Sequence, residues 1–309
     1  MKVSVLIAAY NYGAFVERAV DSVLEQDYAG GIECIVVNDG STDDTEERLA
    51  RYGERIVAIS QENAGMGEAL NEAFRRSTGE IIFLLDADDA WRPDKVAKVV
   101  ALYKAKPTTG LVHHPLTIVG VNDEFVDDRG RSSEHPVLSR FYSEGWVTDR
   151  LMGECLPWIF CFSSSLSIPR AIADHVFPIV PGLKGNADGF LAYAAAFLAP
   201  VGFIDEPLGF YRLHGENHWG TDNMPGHSRP AKSVKTEYSL KLVQKNIEQV
   251  NVAQERSGGG IYLDPMAYRS YVVARSIVEG KALRQLLLGG HQGGVELEGG
   301  GHTPQVESA

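Results

Sequence analysis

The chain has 309 residues, 44% of them apolar, enough for a sizeable buried core. Its 41 acidic against 29 basic residues leave a formal charge of −12, which argues against the concentrated basic face that nucleic-acid binding needs. Three cysteines (Cys34, Cys155 and Cys161) are too few and too scattered for a disulfide framework or a zinc site, and a reducing compartment fits them.

Val3 to Ala9 reads as a first strand that Asn11-Tyr12-Gly13 ends as a turn; its apolar run is too short for a signal peptide. Phe15 to Gln26 carries Phe15, Val16, Ala19, Val20, Val23 and Leu24 on one helical stripe. Ile32 to Val37 is a second strand, with Cys34 as a small core residue. A turn from Asp39 to Thr45 then leads into a helix to about Tyr52, with Ser41 or Thr42 placed as its cap. Arg55 to Ser60 is a short strand, Gly67 to Ser77 a helix, Ile81 to Leu85 a strand, and Pro93 to Lys104 a helix. This alternation implies right-handed crossovers and a mostly parallel sheet.

From about Leu111 the pattern loosens. Leu116 to Val121 resembles part of a hairpin, Asp123 to Glu144 is polar loop, and Phe160 to Ile168 is a further strand. Asp188 to Leu198 is helical and Val201 to Ile204 a strand. Ser233 to Val250 and Pro265 to Leu288 form two helical stretches, and the Gly-rich end reads as a disordered tail. The expected organisation is a domain over 1–217, made of a regular half (1–110) and a looser half (111–217), a helical extension over 218–288 and a tail over 289–309. No apolar stretch reaches membrane-spanning length, since 189–204 is Ala-rich and broken by Pro200. A cytoplasmic protein is expected, with peripheral membrane or homo-oligomer contact through the C-terminal helices left open.

The fourth strand ends in chemistry. Five apolar residues, Ile81 to Leu85, stop at Asp86, Asp88 and Asp89. An uninterrupted apolar run suits a strand buried on both faces, and the C-terminal ends of such strands are where open α/β sheets bind ligands. Three carboxylates so close raise one another's pKa values, and the cluster persists most easily around a cation. The plainer reading is that they cap a helix beginning at Ala90-Trp91-Arg92-Pro93.

Further pieces follow in order. They are Val3 to Asn11, Ser22 to Gln26, Ile35 to Asp43, Asn63-Ala64-Gly65 with Ala69 and Asn71, Gly79-Glu80, and Asp86-Ala87-Asp88. Ala187-Asp188, Glu206-Pro207-Leu208 and Tyr211-Arg212-Leu213-His214 complete the set. Together they resemble the nucleotide-sugar-dependent glycosyltransferases of family 2, over roughly residues 3 to 217. The resemblance implies an α/β GT-A (Rossmann-like) fold, its mostly parallel sheet flanked by helices, with the C-terminal helical appendage added. It implies inverting transfer from a UDP-, dTDP- or GDP-sugar to a hydroxyl of a carbohydrate, lipid-linked or small-molecule acceptor, with Mg2+ or Mn2+ as cofactor. The implied setting is polysaccharide, glycolipid or secondary-metabolite assembly.

Asp86-Ala87-Asp88 is then the DXD element, with Asp88 on the metal and Asp86 on the ribose hydroxyls or a metal-bound water. A carboxylate at Asp39 suits the ring N–H of uracil, thymine or guanine, unless Asp39 merely opens an Asp-Gly turn. Ala9 and Asn11 would line the same pocket by their backbones, and Asn63 and Gly65 would shape its floor. Asp188 reads locally as an N-cap, and the resemblance makes it the general base. His214 becomes a candidate metal or diphosphate contact, and Arg212 a counter to phosphate charge. Ala187 stands where the family often has the first acid of a pair, which keeps open a degenerate protein that binds a nucleotide sugar without turning it over. A nucleotidyltransferase would want a basic phosphate-gripping loop after the first strand. A dinucleotide oxidoreductase would want a Gly-x-Gly-x-x-Gly turn there. Tyr10 to Gly13 supplies neither.

Overall fold

A computed structural model describes residues 1–126, 133, 137–138, 143–148, 162–181, 187–214, 217 and 245–258. β1 (Val3–Ala9), β2 (Ile32–Asp39), β3 (Val57–Gln61) and β4 (Ile81–Asp86) pair in parallel, joined through α1 (Gly13–Leu24), α2 (Thr45–Ala50) and α3 (Met66–Arg76). With β6 (Leu111–His113), β9 (Ser167–Pro169) and β10 (Val201–Phe203) they form a seven-stranded sheet ordered β10-β6-β9-β4-β1-β2-β3. Within it β9 runs antiparallel to both β4 and β6.

The apolar run at the end of β4 follows from two-sided burial. Ile81, Phe83 and Leu85 face a core with Val16, Val20 and Val23 of α1 and Val96, Val99 and Val100 of α4 (Lys95–Ala105). Ile82 and Leu84 face the other core. There they meet Ala69 and Leu70 of α3, α5 (Arg170–Val176) and α6 (Ala187–Leu198). Period two therefore puts Asp86 on the face that α6 covers. Helix α7, over residues 245–256, packs Ile247, Val250 and Ala253 into that same core. The first part of the expected extension and everything after 258 lie outside the described residues.

The chain runs β1-β2-β3 outward and then returns to place β4 on the far side of β1. The crevice between the C-terminal ends of β1 and β4 is thus the topological switch point, where open sheets bind ligands. A second sheet stands over it: β5 (Ala90–Trp91), β11 (Gly209–Arg212), β7 (Leu116–Val119) and β8 (Val137–Leu138).

Several local expectations change. Ala90-Trp91 does not open a helix; it pairs antiparallel with β11, because Pro93 disfavours helix before it and α4 starts only at Lys95. Part of the polar stretch after Asp123 is strand β8. In place of a strand over the described part of 160–168 stands a 3-10 turn, Ser163–Ser165, before a short β9. The residue before α2 is Asp44 and not Ser41 or Thr42; Asp43 Oδ1 accepts the Thr45 amide at 3.0 Å instead.

Candidate active site

The expected site residues sit at the C-terminal ends of the parallel strands or on the sheet above them, except Asp188, which opens helix α6. The loops after β1 and β2 are tied together. Asn11 has a left-handed backbone (φ 58°), and its amide donates to Ser41 Oγ at 2.9 Å. Its Oδ1 accepts the Thr42 amide at 2.8 Å. Ala9, buried beside Asn38, carries β1 into this junction.

Asp39 is 3% exposed, and its carboxylate accepts three donors. Gln61 Nε2 and the Ala64 amide reach Oδ1 at 2.7 and 2.8 Å, and the Gly65 amide reaches Oδ2 at 2.8 Å. Asn63 Nδ2 donates to the Asp39 carbonyl at 3.0 Å. Gly65 adopts φ 92°, a backbone a side chain rarely tolerates. Asp39 thus fixes the 63–65 loop, and one of a carboxylate's roughly four acceptor positions remains on Oδ2.

The acidic loop Asp86-Ala87-Asp88-Asp89 lies opposite. Asp86 is partly exposed, Ala87 is buried, and Asp88 and Asp89 are buried. Burial, and then the charges of Asp89, Asp88 and Asp188, push the Asp86 carboxyl well above the usual range. Burial followed by Asp88 does the same to Asp89, against hydrogen bonds from Ser164 and the Arg212 amide. Asp89 is therefore no helix cap. Asp188, in the first turn of α6, is raised by burial against opposing hydrogen bonds from helix-end amides and Ser163.

From the upper sheet, His214 Nε2 lies 2.9 Å from Asp88 Oδ2. The imidazole packs 4.8 Å from the Phe15 ring, centroid to centroid, and edge-on to Tyr12. Arg212 is 3% exposed and spends its guanidinium on the protein. Nε donates to the Asp88 carbonyl at 3.0 Å, Nη1 to the carbonyls of Gly120 and Val121, and Nη2 to Asp123 Oδ1 at 2.6 Å. Its amide donates to Asp89 Oδ1 at 2.9 Å. Arg212 thus braces the acidic loop against the 120–123 turn, where a counter to phosphate charge was expected. Asn217, which the sequence did not single out, accepts the His214 amide at 2.8 Å and donates to the Arg212 carbonyl at 2.6 Å.

A divalent ion suits this donor set. Asp88 and His214 already converge, and the carboxyls of Asp86, Asp88, Asp89 and Asp188 outnumber the cations beside them, Arg212 and Lys95. Among the described residues no three His, Cys, Asp or Glu side chains form a ready-made metal site. Mg2+ and its relatives are commonly held by one or two side chains plus phosphate oxygens and water, which matches two protein ligands. Ala187 is buried in the apolar core that α6 covers. The Gly182 to Asn186 loop lies outside the described residues, as do Trp158 and Trp219; Trp146 is largely exposed. Among the described residues no helix is long and apolar enough to cross a membrane.

The family model described as glycosyl transferase family 2 matches residues 4–175. An uncharacterized glycosyltransferase of Nostoc sp. is 36% identical over 224 residues, covering 71% of this chain and 66% of the relative. The chain spans 39% and 61% of two further curated relatives, from Rickettsia felis and Bacillus subtilis. Among solved structures, S. aureus TarS 1-349 in complex with UDP-GlcNAc aligns with a TM-score of 0.58 at 18% identity, over 83% of this chain and 72% of that one. The mannosyltransferase PcManGT from Pyrobaculum calidifontis, in complex with GDP-Man and Mn2+, aligns with a TM-score of 0.52 at 19% identity, over 92% and 84%. Both likenesses are likenesses of fold.

Proposed function

From the premise that the chain belongs to glycosyl transferase family 2, a family of glycosyl-transferring enzymes, we propose that it moves a sugar, with inversion, from a nucleoside diphosphate donor to an acceptor hydroxyl. The observation that carries this reading is the convergence of Asp86, Asp88 and Asp89 with Asp188 and His214 at the switch point of the sheet. The donor's base lies against the loops of Ala9, Asn11, Asn63 and Gly65, with the free acceptor position of Asp39 taking a ring N–H. That donor requirement fits uracil, thymine or guanine.

Asp88 and His214 would hold the divalent ion, Mg2+ or Mn2+, with Asp86 turned toward ribose or a bound water. Bound there, the ion offsets the charge that gathers on the departing diphosphate. Asp188 removes the acceptor's proton as the hydroxyl attacks the anomeric carbon from the side opposite the diphosphate, which inverts the configuration. A carboxylate raised by burial is a better base than an exposed one, provided it is ionised at the working pH. Arg212 contacts no substrate in this scheme and keeps the acidic loop in place. Acceptors of carbohydrate, lipid-linked or small-molecule type, and a role in polysaccharide or glycolipid assembly, belong to the same proposal.

A panel of UDP-, dTDP- and GDP-sugars, read by thermal shift with and without Mn2+, tests it. One nucleotide class should raise the melting temperature, and only with metal present. Asp88→Asn should remove that shift, whereas Asp188→Asn should keep it and stop release of nucleoside diphosphate. Metal-independent binding that survives Asp88→Asn would refute the assignment.

A further inference from the structure

The acids of the site come from two elements, and one short turn touches both. Because β9 runs antiparallel to β4 and pairs Phe83 with Ser167, the turn Ser163–Ser165 falls beside the end of β4. Ser163 is 4% exposed, and its hydroxyl lies beside both Asp86 and Asp188, where it opposes the rise in their pKa values. Ser164 is fully buried; its Oγ donates to Asp89 Oδ2 and accepts the Asp86 amide at 3.0 Å.

The carbonyl of Ser164 is anchored from beneath by two donors, Trp91 Nε1 at 2.9 Å and Lys95 Nζ. Lys95 has no exposed surface, and its nitrogen sits 3.7 Å from the centroid of the Trp91 ring. A fully buried lysine is rare and costly, so its presence under this carbonyl calls for more than packing. Like charges gathered in a buried site repel, and only fixed neighbours keep them at a working separation.

We propose that Ser163 and Ser164 are positioning residues that hold the DXD carboxylates and Asp188 in one register, with Lys95 as the buried anchor of their turn. This rests on the reading of Asp88 as a metal ligand and Asp188 as the base. The hydroxyl of Ser163 joins the donor side of the site to the acceptor side. That of Ser164 sets the loop from which Asp88 projects.

The test uses the full chain and the donor that is hydrolysed fastest among UDP-glucose, dTDP-glucose and GDP-mannose with Mn2+, water serving as acceptor. Ser163→Ala should lower kcat by roughly ten- to a hundredfold, the worth of one hydrogen bond to a charged group, with donor KM nearly unchanged. Ser163→Thr, which keeps the hydroxyl, should recover most of that loss. Ser164→Ala should weaken Mn2+ binding, measured by calorimetry on the protein saturated with the matching nucleoside diphosphate, by roughly the same factor. Lys95→Met, measured in the same way, should weaken it too, and it decides the matter if Ser164→Ala fails to fold. Parental kcat in Ser163→Ala, a Thr variant no better than the Ala variant, or parental Mn2+ affinity in Ser164→Ala or Lys95→Met overturns the proposal. Asp188→Asn separates the two readings. If it still releases nucleoside diphosphate at the parental rate, the base assignment itself fails. If it is inactive while Ser163→Ala is unimpaired, only the positioning role does.

Discussion

Asp39→Asn should destabilise the protein even with no nucleotide present, because the carboxylate organises the loop that would receive the base. Its two oxygens accept the Ala64 and Gly65 amides at 2.8 Å each and Gln61 Nε2 at 2.7 Å. An asparagine offers one oxygen and one NH2, so one of the two amides must face a donor and lose its acceptor. Hydrogen bonds to a charged group contribute about 1.5–3 kcal/mol each, and a buried donor left unpaired costs about 1–3 kcal/mol. At 3% exposure little solvent screening reduces these figures, so a loss of about 2–4 kcal/mol is expected. At about 2–4 °C per kcal/mol for a chain of this size, the melting temperature should fall by roughly 5–15 °C. Thermal melts of the ligand-free protein followed by circular dichroism measure this directly. A shift smaller than about 2 °C would mean that the three hydrogen bonds do not organise the loop. Nucleotide affinity, measured well below the lowered melting temperature, supplies the second arm. It should fall as well, because the same loop receives the base; parental affinity would mean that neither Asp39 nor the loop it holds touches the base.

Three more outcomes follow from the same geometry. His214→Gln should raise the Mn2+ concentration needed for half-maximal donor hydrolysis by about tenfold or more, as loss of a metal contact does; an unchanged requirement would take His214 off the metal. If Asp188 is the base, it works only when ionised, and because burial raises its pKa, kcat should fall on acidification with a midpoint above the ordinary carboxylate range; a midpoint near that of an exposed aspartate would refute that role. Asp86, raised in the folded chain above its unfolded value, destabilises the metal-free protein as pH climbs through the folded pKa and has no such effect below the unfolded one. Asp86→Asn should therefore raise the metal-free melting temperature at pH 8 more than at pH 4, and an equal shift at both would contradict the repulsion described.

The parts of the fold legible from sequence are those in which each element carries its own pattern. Val3 to Ala9 is apolar at every position but Ser4, and Ile81 to Leu85 at every position, because helices cover both faces of their sheet. The acids announced themselves because they interrupt such a run. Of the upper sheet only β7 was foreseen, within the hairpin expected over Leu116 to Val121; β5, β8 and β11 have two to four residues each, too few for a period to emerge.

What sequence could not supply is where a long side chain ends. Arg212 in Tyr211-Arg212-Leu213-His214 has the composition of a phosphate contact, yet its amide meets Asp89 and its guanidinium meets Asp88, Gly120, Val121 and Asp123, partners some ninety to a hundred and twenty residues away. Lys95 sits among the polar residues that open a helix, where an exposed ammonium is the ordinary expectation. It is buried because Ser164 and Trp91 close over it. The signal that was available is the run Ser163-Ser164-Ser165 ahead of apolar Leu166. Three hydroxyls entering a core must find partners there, and the buried groups in need of donors are the carboxylates. A polar run that leads into a buried strand therefore points to the second layer of a site, just as an acid that ends one points to the first.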